Sequence, residues 1–301
     1  MRYAPASAPV SATLLAAMLA ALPPVRAQDL PARGRVDRDV TYATAGGVAL
    51  KLDLHFPAGA GEEPAPVVVY LHGGGWRGGS KSIGGWMKNV TGELLGRGYV
   101  VAAVDYRLVP DVTWPAFFHD VKAAVRFLRA SAGKYHLDPD RIGTWGTSAG
   151  GHLAALLGTT DPAAGLEGDG GNPGQSSRVQ AVVDLFGPAD LPRMRRAPEM
   201  AEVAFGGAGG LKQASPVEHV SRDDPPFLII QGDSDRVVPT EQSELLYERL
   251  RAAGVEAKLV IVKNGGHGLN GDGITPSRSE MVKMIGEFFD KHLRWRGGNR
   301  S

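Results

Sequence analysis

Six short stretches of this chain are almost wholly apolar, and most of the segments between them are long enough to fold back as helices. They are Val67–Leu71, Tyr99–Val104, Arg141–Trp145, Val179–Phe186, Phe227–Gln231 and Ala257–Val262. Runs this short, dominated by β-branched and other apolar residues, predict strands buried on both faces. Between them, Pro115–Ala132 and Thr240–Ala253 predict crossover helices. Pro276–Arg294 predicts a closing helix with Met281, Met284, Ile285, Phe288, Phe289 and Leu293 as its apolar stripe. The pattern before Pro57 is different. Val40–Ala45, then Gly46-Gly47, then strict alternation through Val48, Leu50, Leu52, Leu54 and Phe56 predicts a β-hairpin on a two-residue primed turn. The whole reads as an α/β fold: a mainly parallel twisted sheet with an antiparallel N-terminal edge and helices on both faces. Pro57–Pro66 and Gly165–Gly174 read as loops. Asp190–Asp224 reads as irregular, and its apolar residues, including Leu191, Met194, Met200 and Phe205, are too few for a separate domain. A small lid over residues 190–224 is the expectation.

A length of 301 residues suits one large domain, expected over residues 28–301, and 43% hydrophobic with 22% charged residues is ordinary for a soluble globular chain. A formal net charge of +1 gives no reason to expect capture of nucleic acid or of an acidic membrane. With no cysteine, the chain has neither disulfides nor thiolate metal sites. At the start, Arg2 precedes the apolar run Val10–Leu22, then Pro23-Pro24 and Val25-Arg26-Ala27 before Gln28. That series predicts a secretory signal over residues 1–27, cleaved near Ala27, and a periplasmic or secreted product. An uncleaved anchor is the alternative, although the run is short for a membrane span.

Candidate chemistry begins where Arg141–Trp145 enters a turn of small residues. Gly146-x-Ser148-x-Gly150 follows the strand and precedes an apolar helix carrying Leu153, Leu156 and Leu157. This is the nucleophile-elbow pattern, which lifts the central side chain clear of the sheet at a helix N-terminus. A β-carbon at either glycine would collide with the neighbouring strand or helix. Upstream, the strand Val67–Leu71 runs into His72-Gly73-Gly74-Gly75-Trp76. Side-chain-free backbone can turn its N–H groups towards an anion, so Gly74 and Gly75, with the N–H of Ala149, are candidate oxyanion-hole donors. His72 is expected to brace this loop. Downstream, Phe227–Gln231 leads to Asp233 and Asp235, and Ala257–Val262 leads to His267 in a glycine-rich loop. Serine, acid and histidine thus follow three strand ends in that order.

These pieces resemble the α/β-hydrolase superfamily, specifically esterases with a His-Gly-Gly-Gly-Trp oxyanion loop: the feruloyl/acetyl-xylan esterase-like group and the related hormone-sensitive-lipase-like esterases. The likeness rests on His72–Trp76, Asp105-Tyr106-Arg107-Leu108, Gly146–Gly151, Asp235 with Val238-Pro239, and Gly266-His267-Gly268, and it spans nearly all of Val40–Leu293. No long helical cap precedes the hairpin, which favours the shorter feruloyl/acetyl esterase-like proteins. The resemblance implies a triad of Ser148, Asp235 and His267, an acyl-enzyme on Ser148, and no cofactor or metal. Asp233, one residue beyond Gly232, is expected to turn back and cap the loop backbone instead. Trp76 is a candidate substrate-binding face for an aromatic or sugar ring, the alternative being that it packs into the core. A lid this short and charged offers little continuous apolar surface, so a short-acyl ester, small or polysaccharide-linked, is the expected substrate. An arylformamidase-like amide hydrolase and a non-catalytic binding protein of the same fold are the rival readings. Turnover of N-formyl aryl amides would mark the first, and loss of a triad member the second.

Overall fold

Alternation of side chains across a pleated strand decides which residues reach which layer. The computed structural model describes residues 34–59 and 63–294; the expected export signal lies outside them. The described strands are β1 (Val36–Ala45), β2 (Val48–His55), β3 (Ala65–Leu71), β4 (Val100–Val104), β5 (Leu137–Thr147), β6 (Ala181–Leu185), β7 (Phe227–Gly232) and β8 (Ala257–Val262). They form one sheet in the order β1-β2-β4-β3-β5-β6-β7-β8. The β1/β2 and β2/β4 pairs are antiparallel and every later pair is parallel, as the change of pattern near Pro57 predicts. At the hairpin, Gly46 and Gly47 both adopt positive φ, at 58° and 79°, which a primed turn requires.

The described helices are α1 (Met87–Gly96), α2 (Ala116–Ala130), α3 (Ala132–Tyr135), α4 (Ala149–Thr159), α5 (Ala197–Val203), α6 (Ala208–Gln213), α7 (Thr240–Ala252) and α8 (Arg278–Leu293). Odd and even positions of β3 part company. Val67, Val69 and Leu71 join the core with Phe117 and Val121 of α2, Leu153 of α4 and Leu246 of α7. Val68 and Tyr70 join the opposite core with Val90 of α1 and Met281, Ile285 and Phe289 of α8. Helices therefore cover both faces. The closing helix starts two residues after Pro276 because Ser277 caps it, its side chain paired reciprocally with Glu280. Within its stripe Met281, Ile285, Phe289 and Leu293 are buried, while Met284 and Phe288 lie at the margin of that core.

Strand order reverses around β3, which has β4 on one side and β5 on the other. Ligands of open parallel sheets bind beyond the carboxyl ends of the strands at such a switch point. Several expected boundaries move. β5 begins at Leu137, not Arg141, because Leu137 pairs with Ala65 before a register shift. The helix expected over Pro115–Ala132 ends at Ala130, and α3 follows as a separate turn. Residues 190–224, read as irregular, contain α5 and α6. Both are shorter than the window over which helical periodicity can be recognised.

Candidate active site

Ser148 sits between β5 and α4 at φ 53° and ψ −119°, a left-handed strain that the surrounding packing holds in place. Its N–H donates to the Leu185 carbonyl at 2.9 Å, and its carbonyl accepts the His152 N–H at 2.9 Å. The flanking glycines are sterically required. A β-carbon on Gly146 would lie 2.2 Å from the Gly150 carbonyl oxygen, and one on Gly150 would lie 2.0 Å from that of Leu71.

The two groups expected to follow Ser148 meet it in space. His267 Nε2 lies 3.0 Å from Ser148 Oγ, and its Nδ1 donates to Asp235 Oδ2 at 2.8 Å. Asp235 Oδ1 accepts the N–H groups of Val237 and Val238 at 2.8 and 3.0 Å. Burial by itself would raise the Asp235 carboxyl, but the hydrogen bonds from His267, Val238 and Val237 outweigh it and hold the group below its ordinary value. The carboxylate is thus kept ionised against the imidazole. Asp233 behaves differently from expectation. It is exposed, and its carboxylate takes the Ser234 hydroxyl at 2.9 Å instead of capping loop backbone. Asp235 does the capping, because its side chain points back into the loop.

Gly74, Gly75 and Ala149 line one cavity with Ser148, of about 470 Å³. Among the described residues, no backbone carbonyl accepts the Gly74 or Gly75 N–H. Gly75 has φ 61° and nothing within 4 Å of where a β-carbon would stand, so conformation, not crowding, calls for glycine there. His72 braces the loop as expected. Its Nδ1 donates to the Gly73 carbonyl at 2.8 Å, and its ring stacks on Tyr106 at 4.3 Å. The Tyr106 hydroxyl in turn donates to the His72 carbonyl at 2.8 Å. Next in the chain, Arg107 grips Asp120 through two guanidinium nitrogens at 2.8 and 2.7 Å.

Trp76 lines the cavity but is only 6% exposed, wedged edge-on against Phe205 and His152. It forms a stretch of wall and not an open stacking platform. The segment 190–224 also departs from expectation. Met194, Met200 and Val203 line the same cavity, so its inner side is more apolar than its charged sequence implies.

Four positioning residues escape a reading of the sequence. Gln231 donates to Asp235 Oδ2 at 3.2 Å and to the Val238 carbonyl at 3.0 Å, while its own carbonyl accepts the Ser243 hydroxyl at 3.1 Å. A lone amide ending an otherwise apolar strand was the signal. Trp86 anchors the histidine loop through the Gly268 carbonyl at 3.2 Å, and Phe186 lies edge-on to His267 at 5.0 Å. Buried His152 accepts from Trp76 Nε1 and donates to the Ala214 carbonyl, contacts that no local pattern announces.

Comparison with known proteins agrees with this geometry. A family model described as BD-FAE matches residues 52–250. Esterase LipC of Mycobacterium tuberculosis is 36% identical over 223 residues, covering 69% of this chain and 54% of its own length. The chain spans about half the length of the curated relatives it matches. A truncated carbohydrate esterase from gut microbiota superposes at TM-score 0.74 and 30% identity, over 86% of this chain and 97% of its own. Propionate-bound Est2, an esterase of the planctomycete Thermogutta terrifontis, superposes at TM-score 0.73 and 28% identity, over 91% of this chain and 100% of its own. The same Thermogutta esterase also exists phosphorylated by paraoxon. With the model matched across β2 to α7 on a sheet built like those of these esterases, the chain belongs to the BD-FAE family and has the α/β-hydrolase fold.

Proposed function

We propose that this chain is a serine carboxylic-ester hydrolase, acting on short-acyl esters through an acyl-enzyme on Ser148. One observation carries the reading: Ser148 Oγ, the His267 ring and the Asp235 carboxylate stand in a continuous hydrogen-bonded line, with separations of 3.0 and 2.8 Å. A nucleophile hydrogen-bonded to a base that is itself oriented by a third group is the arrangement acyl transfer needs.

Ser148 Oγ attacks the ester carbonyl as its proton passes to His267 Nε2. Negative charge gathers on the former carbonyl oxygen, where the N–H groups of Gly74, Gly75 and Ala149 receive it. Asp235 holds the imidazole by Nδ1 and stabilises its charged form. The tetrahedral species collapses, the carbon–oxygen bond to the alcohol breaks, and His267 returns the proton to the departing oxygen. A water molecule then loses its proton to His267 and attacks the acyl carbon. The acid leaves, and Ser148 regains its hydrogen.

A short acyl group suits this cavity, whose apolar lining by Trp76, Met200 and Val203 is interrupted by exposed Arg195, Arg196, Glu199 and Arg236. The alcohol part is either a small molecule or a saccharide. Nothing in the charge of the chain calls for nucleic acid or stable membrane association, and no helix among the described residues is long and apolar enough to cross a membrane. Export to the periplasm or beyond follows from the sequence of residues 1–27 alone. The N-terminal mass of protein from its native host tests it, with Gln28 expected first and an intact Met1 in the cytoplasm the contrary result.

The decisive experiment is mass mapping after treatment with an organophosphonate, beside turnover of Ser148→Ala. The adduct is expected on Ser148, and the variant should lose about three or more orders of magnitude in kcat. An adduct elsewhere, or a fully active variant, overturns the reading.

A further inference from the structure

Four arginines from three separate segments converge on the cavity that holds Ser148. Arg77 follows the oxyanion loop, Arg195 and Arg196 precede α5, and Arg236 follows Asp235. The one carboxylate in the lining is Glu199. Four positive groups against one negative leave the cavity wall at +3, whereas the whole chain, with 33 basic and 32 acidic residues, carries only +1. The excess is therefore local.

Partners separate these arginines. Arg196 is committed to Glu199, reaching both carboxylate oxygens at 2.6 Å. Arg77 comes no closer to Glu199 than 3.9 Å. Among the described residues no ion pair is formed by Arg195 or Arg236, and both are exposed. Asp190, Asp233 and Asp235, which lie near them in sequence, are engaged elsewhere. Asp190 pairs with Arg193 at 3.1 Å, Asp233 takes the Ser234 hydroxyl, and Asp235 holds His267. A cleft of one sign with apolar walls concentrates oppositely charged ligands. The guanidinium fork matches a carboxylate, and two forks facing one cavity can hold it from two sides.

We infer that the ester accepted here carries a carboxylate on its non-reacting part, and that Arg195 and Arg236 recognise it. This rests on the ester-hydrolase reading above. The carboxylate belongs either to the alcohol, as in a uronic acid, or to the acyl group, as in the half-ester of a dicarboxylic acid.

Two matched substrate pairs test it. For the alcohol side, 4-acetoxybenzoate is set against its methyl ester. For the acyl side, mono-4-nitrophenyl succinate is set against 4-nitrophenyl butyrate. The quantity read is the ratio of kcat/KM, anionic over neutral, taken within each enzyme so that any loss common to both substrates cancels. In at least one pair the ratio should fall about tenfold, through KM, on going from wild type to Arg195→Gln/Arg236→Gln, and return in part with lysine at both positions. In the wild type it should also fall as NaCl rises from roughly 0.02 to 0.5 M, which needs no variant to fold. The pair that responds identifies the side bearing the charge. Ratios in both pairs that ignore salt and survive the double substitution overturn the inference. Failure of the underlying reading looks different: Ser148→Ala would then turn over neutral and anionic esters alike.

Discussion

Trp76 Nε1 donates to His152 Nδ1 at 3.3 Å, tying the glycine loop after β3 to α4, the helix that follows Ser148. The other nitrogen of the same ring donates to the Ala214 carbonyl at 2.7 Å, just after α6. One buried imidazole thus joins three segments, and only its neutral form, protonated on Nε2, satisfies both bonds.

His152→Phe keeps a ring in place but strands a buried indole N–H and a buried carbonyl. A loss of about 2–4 kcal/mol is expected, read by urea denaturation. Burial lowers the His152 pKa from 6.5 to about 4, the bond to Ala214 only partly opposing it. A depressed folded-state pKa means this stabilisation is complete above pH 6.5 and lost as pH falls towards 4. The wild-type advantage over His152→Phe should therefore shrink between pH 7 and 4, by on the order of 3 kcal/mol. An advantage independent of pH would mean that His152 takes up its proton as readily in the fold as in the unfolded chain.

Asp184, on β6, titrates in the opposite sense. It is fully buried, with Oδ1 accepting the Gly187 N–H at 2.9 Å and no partner for Oδ2 among the described residues. Burial pushes its pKa from 3.8 up to about 7, against a smaller lowering by the Gly187 N–H. A raised folded-state pKa means stability is complete below pH 3.8 and declines as pH rises through 7. Asp184→Asn keeps an acceptor for Gly187 and cannot ionise. Its stability relative to wild type should climb between pH 4 and 8, by on the order of 4 kcal/mol. Between pH 4 and 6.5 the Asp184 and His152 contributions oppose one another, so each is read against its own variant. A constant difference between Asp184→Asn and wild type would show that the carboxyl does not change charge.

Asp235→Asn should cost about 10⁴-fold in kcat, because the amide cannot accept the Nδ1 proton while serving both loop N–H groups. Asp233→Asn, whose side chain touches only the Ser234 hydroxyl, should leave kcat within about twofold and change stability by under about 0.5 kcal/mol. Steady-state kinetics on one ester suffices. Equal losses, or the reverse ranking, would refute Asp235 as the acid.

Acyl length can be read from 4-nitrophenyl esters between acetate and palmitate. Each buried methylene adds about 0.8 kcal/mol, so kcat/KM should rise only as far as the wall of Trp76, Met200 and Val203 accommodates chain, and then fall. The maximum is expected at four carbons or fewer. A maximum at about eight carbons or longer would overturn the short-acyl reading and point to a lipase.

Much of this molecule is legible in the sequence because its causes are local. Short β-branched runs bounded by turn residues read as buried strands, and the glycines around Ser148 answer a collision between adjacent segments of backbone. The elbow, the glycine run after His72 and the order of serine, acid and histidine follow from strand ends alone. Other features depend on which distant segments become neighbours. Asp233 and Asp235 are separated by the N–H groups of Val237 and Val238 and the amide of Gln231, which hold one carboxylate inward and leave the other in solvent. Trp76 is fitted into a wall by Phe205, 129 positions away, and by His152, 76 positions away. The gathering of Arg77, Arg195 and Arg236 has the same origin. A chain reveals what a residue does to its neighbours in sequence. Packing decides what it does to those that long loops bring beside it, because that choice belongs to the free energy of the whole core.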